Sequence, residues 1–224
     1  MENPHEILKR ILEYVSVDLS RSSITDQEIR TRIESVCRQI SNRACTRMLM
    51  ACLLAKIHRP EIDPRKPYTE IGGEDSFSGR TYDEKYITPF INTYQLPLNP
   101  TTAFLIPAFR NLDKPLTTNL ELVGRPRRTY KDTLQLLDDV YRGRVSAEDM
   151  LAEIIRILVV IREENRDRIR TLLAGLASTE DPLPLLSEDI VSLIEQHLKC
   201  KNSSRLQVLI IAAAYLSVSE KVGE

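Results

Sequence analysis

The sequence predicts a mainly α-helical fold, seven or eight helices with a long Pro-rich irregular insertion packed on one side and one or two short strands near Arg80 to Ile87. Three observations lead there. Apolar residues recur at helical spacing up to residue 57 and again beyond residue 130, and most of these runs open on a capping signature. Nine of the twelve prolines fall between residues 60 and 131, which excludes a continuous helix there. Eight Tyr and Phe residues lie between Tyr68 and Phe109, anchors that a disordered linker lacks. A long irregular segment that stays ordered is more often functional than not. The chain therefore reads as N-terminal helices over 1–59, an irregular segment over 60–129 and C-terminal helices over 130–224, all within one compact domain.

Asn3-Pro4-His5-Glu6 starts the first helix, with a capping Asn, Pro in the first turn and an early acid. Ile7, Leu8, Ile11, Leu12 and Val15 follow on one face, and Ser20 to Ser23 interrupt it. Thr25 to Glu28 form a capping box that launches Ile29, Ile33, Val36 and Ile40. A third helix is expected from about 43 to 57, ending at His58-Arg59-Pro60. After the irregular segment, Tyr130 to Arg142 carries Leu134, Leu137 and Tyr141 inward and stops at Gly143. Ser146 and Asp149 cap a helix that continues through a charged stretch to about Leu176. Pro182 and Pro184 mark a loop before a helix through Ile190 to Leu198. A last helix, Arg205 to Val218, is apolar nearly all round and should be covered on every side.

With 224 residues, a net charge of −1 and 28% charged residues, the chain has no global pull toward nucleic acid or membrane. Charge is only mildly uneven: residues 56 to 132 carry twelve Lys and Arg against ten Asp and Glu. No signal-peptide core and no run of membrane-spanning length is present, so a cytoplasmic protein that does not enter membranes is expected. The four cysteines lack CxxC spacing and read as buried thiols in a reducing compartment.

The chemistry-bearing residues are few. His5, His58 and His197 have no metal-ligand spacing, and phosphate-loop, GxSxG and GxGxxG motifs are absent, so no metal ligand is assigned. Asp75 followed by Asp83-Glu84-Lys85 carries the letters of a D…(D/E)xK nuclease site, in which two carboxylates hold Mg²⁺ and a lysine sits near the attacking water. Asp75, Asp83 and Lys85 are therefore weak catalytic candidates, because chance matches are common in a charged chain and no strand-like run carries them. The basic residues of the irregular segment form the larger set: Arg65, Lys66, Arg80, Arg110, Arg127 and Arg128, with the hydroxyl of Ser78 beside Arg80. Arginine grips phosphates or guanine edges with two parallel N–H bonds, and loop hydroxyls add phosphate contacts. Such residues also pair with nearby carboxylates, of which residues 56 to 132 carry ten.

Three stretches resemble a known family. CTRMLMACLLAKIHRPEIDPRKP (45–67), DSFSGRTYDEKYITPFI (75–91) and LPLNPTTAFLIPAFRN (96–111) are similar to type II restriction endonucleases of the SacI family. The likeness rests on Ala51 to Ala55, Asp63-Pro64-Arg65, Phe77 to Thr81, Pro89, and Thr102 to Leu105 through Pro107 and Arg110. It is strong over about a quarter of the chain and looser beyond. The resemblance implies a bacterial, Mg²⁺-dependent enzyme that cuts double-stranded DNA at a short sequence. It also implies a strand-rich catalytic unit C-terminal to this region, so the chain is expected to be the N-terminal recognition or scaffold portion. Arg80 is then the central DNA contact, and a homodimer is expected because a two-strand cut needs two active sites. Two rivals stand beside it: a complete nuclease using Asp75, Asp83 and Lys85, and a helical protein–protein module without a DNA role.

Overall fold

Asn3 opens the first helix as expected: its Oδ1 accepts from the backbone N–H of His5 at 2.9 Å, with Pro4 in the first turn of α1 (Pro4–Val17). The computed structural model describes residues 2–99 and 101–177, and the chain divides into two units, Met1–Ile169 and Arg170–Glu224. The loop at Pro182 and Pro184, Cys200, and the expected helices through Ile190 to Leu198 and Arg205 to Val218 lie outside the described residues. No helix among the described residues is long and apolar enough to cross a membrane.

The second helix, α2 (Gln27–Cys37), is capped by Asp26, not Thr25. The Asp26 carboxylate accepts from the N–H groups of Glu28 and Ile29, which fixes the helix start one residue later than the box predicts. Ile29, Ile33 and Val36 are buried as expected, but α2 ends at Cys37 and leaves Ile40 74% exposed, which corrects its placement on the core face.

The helix buried on every side is α3 (Ala44–His58): all residues from Ala44 to Ala55 are buried. Up to Ala55 it is apolar around its whole circumference apart from Thr46 and Arg47, so no side of that stretch can face water. The neighbours that cover it are α1, α2, the later helix α6 (Arg127–Tyr141) and three pieces of the irregular segment.

The expected strands near Arg80 to Ile87 are replaced by helix. Ser78 accepts from Thr81 N–H and starts α4 (Gly79–Tyr82), a π-type turn spans Asp83–Ile87, and α5 (Thr88–Thr93) follows. Buried Gly79, Tyr82, Asp83, Ile87, Phe90 and Ile91 recur at helical spacing along this stretch, and α4 and the π turn pack on α3. Pro89 explains the widened turn: it has no N–H to give a carbonyl one turn back, and Thr88 N–H reaches five residues back to Asp83. Among the described residues there is no strand at all.

The rest of the irregular segment is held by isolated tertiary bonds. Phe77 N–H donates to Lys66 C=O, Gly79 N–H to Pro67 C=O, Leu116 N–H to Arg65 C=O, and the Tyr68 hydroxyl to Phe109 C=O at 2.7 Å. Gly79 is dictated by packing, since a Cβ there would stand 2.5 Å from Phe104 Cζ and 2.8 Å from Pro67 Cβ. Phe77, Phe104, Phe109 and Leu116 are buried beneath these bonds, each stabilising the fold by about 1.5–3 kcal/mol.

Helix α6 runs Arg127–Tyr141, three residues earlier than expected, and Gly143 follows its end at φ +70°, as its C-terminal position required. Tyr141 is 53% exposed, not buried. Its ring is instead covered by the Arg65 guanidinium, 3.1 Å from the ring centroid. The long α7 (Ala147–Ala177) is tied to the other elements through Glu153, which accepts from Ser23 N–H, and through Arg162, which donates to Tyr94 C=O at 2.7 Å.

Candidate functional site

Asp83, a catalytic candidate by its letters, lies in the core. Its Oδ1 is 2.9 Å from Arg47 Nε, and its Oδ2 accepts from the Thr102 hydroxyl at 2.5 Å and from Ala103 N–H at 2.8 Å. Arg47 completes the cluster by donating to Thr88 Oγ1 and to Asn99 C=O. This carboxylate accepts three hydrogen bonds, lies 2.7 Å from Arg47 Nη2 and is closed to solvent, so it does not fit as a Mg²⁺ ligand.

The other two members of that set are on the surface. Asp75 receives both bonds of the Lys66 ammonium, at 2.7 and 2.9 Å, and that hydrogen bond holds its carboxyl below the usual range. Lys85 is exposed, with its ammonium 5.3 Å from the Tyr86 ring centroid. The sequence motif is thus split between core and surface. Among the described residues no group of three or more His, Cys, Asp or Glu is arranged to hold a metal ion.

The basic candidates fall into two kinds. Arg65 and Lys66 are neutralised at home. Arg65 donates to both Asp63 oxygens and, from Nη1, to Asp138 at 3.1 Å, while Lys66 is taken by Asp75. Arg65 is 15% exposed and clamps the start of the irregular segment onto α6. Its role is structural.

Ser78, Arg80 and Arg110 are brought together. With Tyr68, Glu70 and Leu105 they line one open groove of about 210 Å³. The Ser78 hydroxyl caps α4, which sets the first turn and aims Arg80 outward. Arg80 is 55% exposed and, among the described residues, paired only with Glu84 one turn on, a solvent-screened contact of about 0.3–0.5 kcal/mol that a stronger acceptor can displace. Arg110 is exposed and has no ion-pair or hydrogen-bond partner among the described residues. The groove floor is Phe104, which the packing at Gly79 holds in place.

Arg127 and Arg128 sit apart from this groove's lining, at the start of α6. That helix has no side-chain cap and no acid in its first turn. Arg127 is exposed and unpaired among the described residues, and Arg128 is 82% exposed and 3.6 Å from Asp132. Arg127, at the helix's positive end, adds charge that no acid among the described residues offsets.

Sequence reasoning missed the Arg47–Asp83 pair and the acidic pair Asp138 and Asp139, which is buried at the end of α6 and neutralised by Arg32, Arg65, Arg142 and Arg144. The lone arginine within CTRMLMACLLA was the available signal, since a charge in an apolar helix demands a buried partner. No protein-family profile matches this chain, and no curated protein matches it either.

Proposed function

We propose that this chain binds duplex DNA through its phosphates, as the recognition or scaffold portion of a site-specific DNA-cutting enzyme. The observation that carries the reading is the convergence of Ser78, Arg80 and Arg110 on one groove, with Arg110 in no ion pair among the described residues. Arg127 and Arg128 supply a second exposed basic pair for the same backbone. Three conditions of phosphate recognition are met: accessible guanidiniums, a hydroxyl beside them, and a rigid base to hold them. The three stretches similar to restriction endonucleases also pack against one another, through Arg47–Asp83–Thr102 and through Gly79 on Phe104. The reading assigns this chain no catalytic residue, because Asp83 is sealed and Asp75 and Lys85 stand apart from it.

Anisotropy of a labelled duplex over a salt series tests it. Binding at micromolar or lower protein concentration in low salt, weakening steeply as salt rises, is the expected result. Arg110→Ala and Arg127→Ala should each weaken it. Absence of binding at low salt overturns the reading.

The second reading is a protein–protein module, favoured by the carboxylate partners of Arg65, Lys66 and Arg80. It predicts that Arg110→Ala changes neither stability nor DNA binding.

A further inference from the structure

The groove at Ser78, Arg80 and Arg110 holds more than a phosphate grip requires. A phosphate clamp needs cations and hydroxyls on an open surface. This groove also has an apolar side, Leu105 at 44% exposure over the buried ring of Phe104, and a carboxylate, Glu70, at the same rim. An open groove of about 210 Å³ is of the size that one heterocyclic base can enter.

We infer that the groove receives a single unpaired nucleotide of DNA, its base against Leu105 and its flanking phosphates on Arg80 and Arg110. Glu70 sets the preference. A carboxylate is acceptor-only, so it favours a base edge with adjacent N–H donors, and guanine presents two, N1–H and the N2 amino group. Thymine presents one donor between two carbonyls and meets Glu70 with repulsion. The inference rests on the DNA reading above and assigns the groove within it. Extruding a base from a paired duplex costs a few kcal/mol of stacking and pairing, so a nucleotide that is already unpaired should bind best.

The test compares labelled duplexes that differ only at one position: fully paired, one bulged guanine, or one bulged thymine. The bulged-guanine duplex should bind about tenfold tighter than the paired duplex, and tighter than the bulged-thymine duplex. Leu105→Arg fills the groove without removing positive charge, and should bring the bulged-to-paired ratio to about one. Glu70→Gln should remove the guanine-over-thymine preference while the bulge preference stays. Thermal melts confirm that both variants fold, as expected for exposed positions. Equal affinity for bulged and paired duplexes, with Arg110→Ala still weakening both, overturns the inference and leaves the phosphate reading standing. A bulge preference that survives Leu105→Arg also overturns it. If no duplex binds at low salt, both fall together.

Discussion

Arg47 Nη2 lies 2.7 Å from Asp83 Oδ1, and both side chains are wholly excluded from solvent. The pair joins the central helix α3 to the π turn. Thr88, Thr102, Asn99 and Ala103 add bonds that satisfy the remaining donors and acceptors. Removing one partner strands a buried charge, whereas removing both leaves only a packing problem. Asp83→Ala should therefore destabilise the protein by about 3–5 kcal/mol. The double replacement Arg47→Met with Asp83→Leu should cost much less than the two single changes added together. Urea unfolding of Asp83→Ala, of the double variant and of its two single changes measures this, and additive costs would show that the pair is not a coupled unit.

Gly79 meets Phe104 where no side chain fits. Gly79→Ala should cost about 1–3 kcal/mol by forcing the Phe104 ring from its place. Combining it with Phe104→Leu should recover part of that loss. Thermal denaturation of both variants reads the outcome, and a neutral Gly79→Ala would mean that the ring moves aside freely.

Arg65 and Arg110 should separate folding from binding. Arg65→Ala removes a clamp on Asp63 and Asp138 and the cover of Tyr141, so stability should drop with no change in the salt slope of DNA binding. Arg110→Ala should leave stability unchanged, weaken binding and reduce the salt slope by about one. A reversed pattern would place the DNA contact at the clamp.

Asp132 gives the fold a distinctive pH dependence. Its Oδ2 is buried without a hydrogen-bond partner, and burial raises the carboxyl above its ordinary value against the pull of Arg128 and Arg32. A raised acid pKa means that the folded state holds the proton longer than the unfolded chain. Its contribution is therefore most favourable below 3.8 and declines as pH climbs through the window just above. Asp132→Asn removes that decline. Wild type and variant unfolded in urea across this range should differ by a curve that falls with pH, and a flat difference would remove Asp132 as its source.

The helices were legible wherever a cap and a clear period coincided, as at Asn3 with α1 and Gly143 with α6. Their limits shifted where local chemistry offered two answers, as between Thr25 and Asp26. The stretch from Arg80 to Ile87 was misread because its aromatic residues and Pro89 mimic a strand and a break. Packing on α3 and one widened turn made it helical instead. Arg80, Ser78 and Arg110 could be named from residue type, but not their shared groove, which depends on segments about 30 residues apart in sequence meeting over Phe104. The neutralisation of Arg65 was equally hidden, since Asp138 lies 73 positions away.

Outside the helical stretch 79–93, the isolated bonds that hold the irregular segment form no ladder, so none of them supports the next by regular repetition. Order in this stretch is lent by α3 through Arg47. The amides of Phe77, Gly79, Ala103 and Leu116 should thus share one opening event in hydrogen exchange and behave as one cooperative unit. Any ligand that settles against Arg80 and Arg110 would slow all four together, including those it never touches.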